Sequence, residues 1–508
     1  MMDRMPAGET PRRPLRAGSM AQAALATMLS LIAVGCSASS PAADGGTPPD
    51  GGEAEAGRPK GTAGNADATA ATDATGDAPA EAACPPGVDA GVNTYAPDDP
   101  NIQYSGRFDM TNPKTPRFAA SSAYITAKFR GTAVSVMFLD ENRSGSFNFF
   151  DVIVDDLPPV KITPVVGKRL YDATPPGLCD GVHTVTFVKR TEADTGMATF
   201  QGFAFTGTIL APDPKPARRI EIIGDSITCG AGVEAMGTAA PECNQNGLVN
   251  LGNPQPGYGQ GVENGYLAYG SVLARTLRAE WHVTCASGIG LVRNYYSRGD
   301  QRPMPQIYPL LFPENLTSTT TWDTSLFVPD VIVIGLGTND FSRDDAPVNG
   351  AASYRAPMDR ATLVRQGYVP FIDRLAAAYP GVSVVLVSSP ILGDMYPTPT
   401  DLQLSEHRAA IQDVVAYYAG DAGLPPLPEA GAAADTGGPG EGGAPTDASA
   451  TVGAEAGVPA DAGTPNVHVY AAVVDKVSGT GCGGHPSVQQ QAAAAAQIAT
   501  VIQAAVHW

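Results

Sequence analysis

A chain of 508 residues, 43% hydrophobic and 16% charged, exceeds one ordinary core, so the expectation is two folded domains with unfolded additions. Its formal charge of −19 says little about a substrate, because residues 37–90 hold nine acids against two bases and residues 421–465 hold seven acids and no base. Both stretches are too poor in large apolar residues to fold, and the absence of any basic patch interleaved with aromatics argues against nucleic acid as a partner.

In chain order, Arg4, Arg12, Arg13 and Arg16 precede an apolar run from Met20 to Val34 that ends in Gly35 and Cys36. The run is too short and too rich in alanine for a membrane span, and residues 1–36 read as an export signal. Its A-V-G-C ending is similar to a bacterial lipoprotein signal, with Ala33 where such motifs usually carry Leu. Either Cys36 becomes a lipidated first residue at the cell envelope, the one membrane attachment expected, or the signal serves plain secretion. Residues 37–95 then read as a disordered acidic tether. Cys84, Cys179, Cys229, Cys243, Cys285 and Cys482 remain, an even number in an exported chain, so disulfides are expected. Cys229 and Cys243 lie closest in sequence and are expected to pair. No CxxC, HExxH or histidine cluster occurs, so neither a metal nor a cofactor is expected.

Residues 96–212 contain many short alternating runs, among them A-Y-I-T-A-K-F from Ala123, A-V-S-V-M-F-L from Ala133, F-N-F-F-D-V-I-V-D from Phe147 and H-T-V-T-F-V-K-R from His183. Gly, Pro, Asn and Asp separate them, and no helical pattern intervenes. This spacing predicts a β-sandwich. From residue 217 to 508 strands alternate with helices: a strand at Ile220, a helix over Tyr266 to Ala279, strands at His282 and Asp330, a helix over Arg365 to Ala378, and a strand at Val382. A disordered insertion is expected over 421–465, followed by a last strand at Val467 and a helix over Ser487 to Val506. The pattern is that of a doubly wound α/β domain with a parallel sheet.

The strand at Ile220 runs into Gly224, Asp225 and Ser226, a strand-turn-helix that lifts a serine hydroxyl to the carboxyl edge of the sheet. The other strands should deliver their ends to the same edge: A-S-G-I-G with Gly288 and Gly290, then G-L-G-T-N-D with Asn339. His485, in G-C-G-G-H-P-S, lies just before the last helix. Ester hydrolysis needs a nucleophile, a base for its proton, and donors for the developing oxyanion. Ser226, His485, and the Gly290 N–H with the Asn339 amide are candidates for these roles.

In order and spacing these blocks resemble the SGNH (GDSL-type) hydrolases. The resemblance extends to the two-domain carbohydrate esterases of family 2 through G-R-F-D at Gly106, H-T-V-T-F-V-K-R-T-E at His183, Y-L-A-Y-G at Tyr266, S-G-I-G-L-V-R-N at Ser287, M-P at Met304 and G-T-N-D-F-S at Gly337. It implies a jelly-roll front domain fused to a three-layer α/β/α catalytic domain that removes acetyl groups from polysaccharides or oligosaccharides through an acetyl-serine. It also implies Ser226 as nucleophile, His485 as general base and acid, and an oxyanion hole made by the Ser226 N–H, the Gly290 N–H and Asn339, with Gly288 as the rival for Gly290. The family's usual aspartate, three residues before the histidine, is replaced here by Cys482. A Ser-His pair is therefore expected, with a main-chain carbonyl near Cys482 orienting His485. The alternatives are an SGNH esterase or lipase acting on another acyl ester, or a surface carbohydrate-binding protein whose catalysis has decayed.

The remaining polar residues have plainer readings. Asp225 is expected to be structural, and His183 and His282 to be packing or surface residues. His407 and His468 have no motif partner. Asn294 and Tyr295 either line the cleft or cap it, and Trp322 reads as core.

Overall fold

Ten short and long strands make the first domain: β1 (Val92–Tyr95), β2 (Ile102–Ser105), β3 (Phe108–Asp109), β4 (Arg117–Phe118), β5 (Tyr124–Asn142), β6 (Phe150–Val154), β7 (Val160–Ile162), β8 (Leu170–Asp172), β9 (Gly181–Lys189) and β10 (Gly196–Leu210). In this computed structural model the described residues are 91–143, 146–235, 237, 243, 260–313, 319–349, 351–427 and 466–508. The expected signal over 1–36, the tether up to residue 90 and residues 428–465 of the expected insertion lie outside them. The ten strands form one continuous antiparallel sheet, with β3-β4-β10-β5-β9-β6-β7 as its main order. The long strands explain this. β5 pairs with β2 and β9 through its first half and with β10 and β8 further on, and β10 shifts register between Phe200 and Gly202 and again between Thr206 and Gly207. Such shifts bend a strand and increase its twist, so the sheet curls over an aromatic core containing Phe129, Phe138, Phe150, Phe187, Phe200 and Phe205.

The second domain is built on five parallel strands: β11 (Arg218–Gly224), β12 (Ala279–Cys285), β13 (Val331–Gly335), β16 (Ser383–Val387) and β17 (His468–Ala472), in the order β12-β11-β13-β16-β17. An antiparallel hairpin, β14 (Asp344–Val348) with β15 (Ala351–Tyr354), stands outside that sheet. Helices cover both faces. They are α1 (Ser226–Cys229), α2 (Tyr269–Thr276), α3 (Met304–Ile307), α4 (Thr338–Phe341), α5 (Arg360–Thr362), which runs through a π-helical stretch into α6 (Val369–Ala378), α7 (Gln403–Ala419) and α8 (Val488–Val506).

Alternation along the strands sorts the two faces. Ile220, Ile222, Val333 and Val385 pack with Leu273 of α2 and Ile498 of α8, whereas Ile223, Ile332, Ile334 and Leu386 pack with Phe371 of α6 and Ile411 of α7. Each such aliphatic side chain contributes about 1.5–3 kcal/mol by leaving water, which fixes the register of a strand whose every residue from Ile220 to Gly224 is buried. The helix expected from Tyr266 to Ala279 is shorter than that reading. A 3-10 turn, Gly265–Leu267, capped by Asn264 precedes it, and Ala279 already opens β12, where it pairs with Arg218.

The two domains share a buried polar junction. Arg107 of the first domain donates to the Glu221 carboxylate at 3.1 Å and to the carbonyls of Tyr308 and Leu310, and Glu221 also accepts the Tyr308 hydroxyl at 2.8 Å. Arg190, at the end of the β9 segment, pairs with Asp151 and Glu234. Among the described residues no helix is long and apolar enough to cross a membrane.

Candidate active site

The strand order reverses direction between β11 and β13, and in open α/β sheets ligands bind beyond the carboxyl ends of the strands at such a switch point. The β-branched run of β11 ends at Gly224, which is level with Cys285 of β12 and Gly335 of β13. Three chain segments therefore leave the sheet side by side, carrying Ser226, Gly288 and Asn339.

Ser226 is the first residue of α1. Asp225 caps the helix, its Oδ1 accepting from the Ile227 N–H at 3.0 Å. Burial, with the nearby Asp340 charge, pushes the Asp225 carboxyl up to about 7 against the hydrogen bonds from Ile227 and Thr338. Its contacts make it part of the turn, as the sequence suggests. Opposite Ser226, the loop before α8 brings in His485, whose Nε2 lies 2.8 Å from the Ser226 Oγ. The other ring nitrogen, Nδ1, lies 2.9 Å from the Cys482 carbonyl oxygen. A carbonyl can only accept, so Nδ1 carries the proton and Nε2 of the neutral ring is left to accept from the serine hydroxyl. Burial holds the His485 pKa below its ordinary value, the Cys482 carbonyl opposing this only in part. Asp475, the nearest upstream carboxylate in sequence, is exposed and tied to Gln497 of α8 at 2.6 Å.

The histidine loop is fastened to the serine turn at several points. The Cys482 N–H donates to the Gly232 carbonyl, the Val488 N–H to the Val233 carbonyl, and Gln491 of α8 donates to the Ile227 carbonyl at 2.9 Å. Ser487 and Gln490 form a capping box that starts α8 directly after His485-Pro486. The expected Cys229–Cys243 disulfide is not formed. Cys229 pairs with Cys285, and Cys243 with Cys482. Parallel pairing of β11 with β12 brings Cys285 beside the end of α1, and sequence proximity gave no hint of that neighbour. Cys179 is disulfide-bonded too.

Asn339 follows Gly337, the N-cap of α4, whose φ of +111° suits glycine and whose missing side chain leaves room for His407 Nε2. The Asn339 Nδ2 donates to the Ile289 carbonyl at 2.8 Å and lies 3.5 Å from Asp225 Oδ2. His407, without a motif partner in the sequence, is fully buried beneath this turn, touching the Tyr368 hydroxyl and the Leu336 carbonyl, and burial lowers its pKa to about 4.

The Gly290 N–H is already taken, donating to Asn294 Oδ1 at 2.9 Å, and Gly290 is packed against Asp340. Asn294 is thus buried inside the loop rather than lining a cleft, and it also donates to the carbonyls of Asp300 and Arg302. Asp340 accepts from the amides of Leu291, Val292 and Arg293 at 2.7–2.9 Å, and Glu192 of the first domain accepts from Ser287. Among the described residues, the Gly288 amide is the one between Ala286 and Arg293 with no acceptor in the protein. Gly288 is half-buried, at φ +72°, with the Tyr295 and Arg298 side chains at contact distance from where a Cβ would stand. The Ser226 N–H, at the first turn of α1, likewise has no internal acceptor. The Ser226 and Gly288 amides and the Asn339 side chain thus lie on segments that leave adjacent strand ends. Ser226, His485 and Asn339 are buried, at 9%, 6% and 8% exposed.

Of the remaining candidates, His282 is buried and stacked on Phe327, Trp322 packs beside it and the Arg107 guanidinium, and His183 bridges Asp155 and the Cys179 carbonyl, all away from this edge. Tyr295 packs against Tyr296 with the rings tilted at 44°. Glu192 and Asp340 were not singled out in the sequence. Asp340 directly follows Asn339 in G-T-N-D and Glu192 ends K-R-T-E, so both sat inside motifs without a visible partner.

Two family models match the chain, Carbohydrate esterase 2 N-terminal over residues 104–214 and the GDSL-like Lipase/Acylhydrolase family over residues 222–472. The chain belongs to carbohydrate esterase family 2. Among relatives of this family, the cellulase/esterase CelE of Acetivibrio thermocellus is 34% identical over 298 residues, covering 58% of this chain and 32% of its own length. An acetylxylan esterase / glucomannan deacetylase of Cellvibrio japonicus is 26% identical over 330 residues, 65% of this chain and 82% of that protein. A family two carbohydrate esterase from Clostridium thermocellum, solved in complex with cellohexaose, is 27% identical with a TM-score of 0.58, covering 80% of this chain and 99% of that one. The chain therefore spans about a third of the first of these relatives and nearly all of the solved two-domain structure.

Proposed function

We propose that this protein is a carbohydrate esterase that removes O-acetyl groups from a polysaccharide or oligosaccharide through an acetyl-serine intermediate. The observation that carries the reading is the 2.8 Å contact between Ser226 Oγ and His485 Nε2, with the Cys482 carbonyl holding the opposite ring nitrogen. In the proposed reaction Ser226 Oγ attacks the acetyl carbonyl while its proton passes to His485 Nε2. The Ser226 and Gly288 amides and the Asn339 side chain stabilise the oxyanion, in the role the sequence gave to Gly290. His485 then protonates the departing sugar hydroxyl and, in the second half, takes a proton from the water that releases acetate. The burial of Ser226, His485 and Asn339 supports a small acyl group such as acetyl over a long chain. The names of the relatives, acetylxylan esterase and glucomannan deacetylase, support an acetylated hemicellulose as substrate, and the cellohexaose complex supports recognition of a β-linked sugar chain. Release of acetate from acetylated xylan, acetylated glucomannan and O-acetylated peptidoglycan tests the substrate class. Labelling of Ser226 by a fluorophosphonate tests the nucleophile, and no labelling of active protein would sink the reading. Export, and lipidation at Cys36 in place of plain secretion, belong to the same proposal, as does a jelly-roll description of the curled front sheet.

A further inference from the structure

The first domain reaches into the site through one side chain. Glu192 follows β9 and is 6% exposed. Its Oε2 accepts from the Ser287 N–H at 2.6 Å and its Oε1 from the Ser287 hydroxyl at 2.6 Å. Glu192 is itself locked from both sides: its N–H donates to Glu263 Oε1 at 2.5 Å, and its carbonyl accepts from Lys189 Nζ and Thr195 Oγ1, each at 2.8 Å. On the far side of Gly288, the Asp340 carboxylate takes the amides of residues 291–293, and Asn339 holds the Ile289 carbonyl. The free Gly288 amide is thus suspended between two carboxylate clamps, one supplied by the α/β domain and one by the front domain.

We infer that Glu192 is a positioning residue for this reaction, holding the Ser287-Gly288 peptide so that the Gly288 N–H points at the oxyanion. The front domain is then part of the catalytic apparatus as well as a neighbour of it. The inference rests on the proposed ester hydrolysis at Ser226. What Glu192 supplies is hydrogen-bond geometry: a glutamine side chain can accept from the Ser287 N–H through its oxygen and donate to the Ser287 Oγ through its nitrogen, whereas alanine leaves both Ser287 groups without a partner. A small displacement of one oxyanion donor costs up to about a hundredfold in rate, and it falls on the transition state rather than on substrate binding.

The test compares Glu192→Ala, Glu192→Gln and Ser287→Ala in the full chain with acetylated xylan, alongside Ser226→Ala. The expected result is a kcat about 10–100-fold lower for Glu192→Ala with KM within about twofold, and recovery to within about fivefold of the parent for Glu192→Gln. Affinity for a boronic acid, which forms a tetrahedral adduct on Ser226, should fall with kcat. Ser287→Ala, which keeps the N–H bond, should lose a few-fold, and adding it to Glu192→Ala should cost little more. An unchanged kcat in folded Glu192→Ala, or Glu192→Gln as slow as Glu192→Ala, overturns the inference. Should Glu192→Ala not fold, an unchanged kcat in Ser287→Ala does the same. Activity surviving in Ser226→Ala instead overturns the esterase reading itself, so the two failures are distinguishable.

Discussion

The serine side and the histidine side of the site are held by different chemistry. Ser226, Gly288 and Asn339 leave adjacent strands of one parallel sheet, and two buried carboxylates, Glu192 and Asp340, tie down the loop between them. His485 sits on a loop of glycines held by backbone hydrogen bonds and the Cys243–Cys482 disulfide, with the Cys482 carbonyl against its Nδ1. A carboxylate opposite His485 would both fix the tautomer and stabilise the imidazolium. The Cys482 carbonyl fixes the tautomer equally well but offers only a dipole to the charged ring. In the proposed mechanism buried carboxylates position the oxyanion donors, while the disulfide and main-chain contacts help to orient the base.

The largest expected effect tests whether the two sides act as one unit. Ser226→Ala and His485→Ala should each lower kcat by on the order of a thousandfold or more, and the double variant should be no slower than either, measured as acetate release. Additive losses would mean that the two side chains do not share a proton. On the serine side, Asn339→Ala should cost about a hundredfold in kcat with KM little changed, the magnitude typical of one oxyanion donor.

The pH profile sharpens the comparison from the histidine side. In the proposed mechanism neutral His485 is the active form, and burial holds its folded pKa below 6.5, so kcat/KM should stay flat through neutral pH and fall about tenfold per unit only once the pH drops below that lowered value. The acid limb should persist in Asp225→Asn, which keeps a competent helix cap while removing a carboxyl pushed up to about 7. Loss of the limb in that variant would transfer it to Asp225.

A smaller effect separates the disulfides. Replacing Cys243 and Cys482 together by serine should lower kcat roughly tenfold through a loosened histidine loop. Replacing Cys229 and Cys285 should mainly lower thermal stability, by about 2–4 kcal/mol in equilibrium unfolding. Equal kinetic losses in the two pairs would erase the distinction between the sides. The smallest effect belongs to Asp475→Ala, whose carboxylate faces Gln497. Activity should stay within about twofold of the parent, as for an ordinary surface substitution, and a loss as deep as that of His485→Ala would reveal a displaced triad.

Much of this was legible in the sequence, for stated reasons. The unbroken β-branched run before Gly224 leaves both faces of β11 apolar, which dictates a buried parallel strand, and the Ser226 turn, the block of Asn339 and the helix cap at Ser487 are local patterns with local causes. Cys482 standing where a carboxylate usually does, three residues before His485, was enough to expect a carbonyl in its place. The partners of residues distant in sequence were not legible. Cys285 meets Cys229 only because β12 lies beside β11, and Cys482 meets Cys243 only because the last loop folds over the serine turn. Which glycine amide is free depended on Asn294 turning back onto Gly290, and the role of Glu192 on a second domain docking against Ser287. Composition and periodicity determined the elements and the chemistry they could carry, because these follow from neighbours within a turn or two. The tertiary structure alone decided which polar groups are satisfied and which stay free, because burial and hydrogen bonding are settled by whatever the folded chain brings within 3 Å.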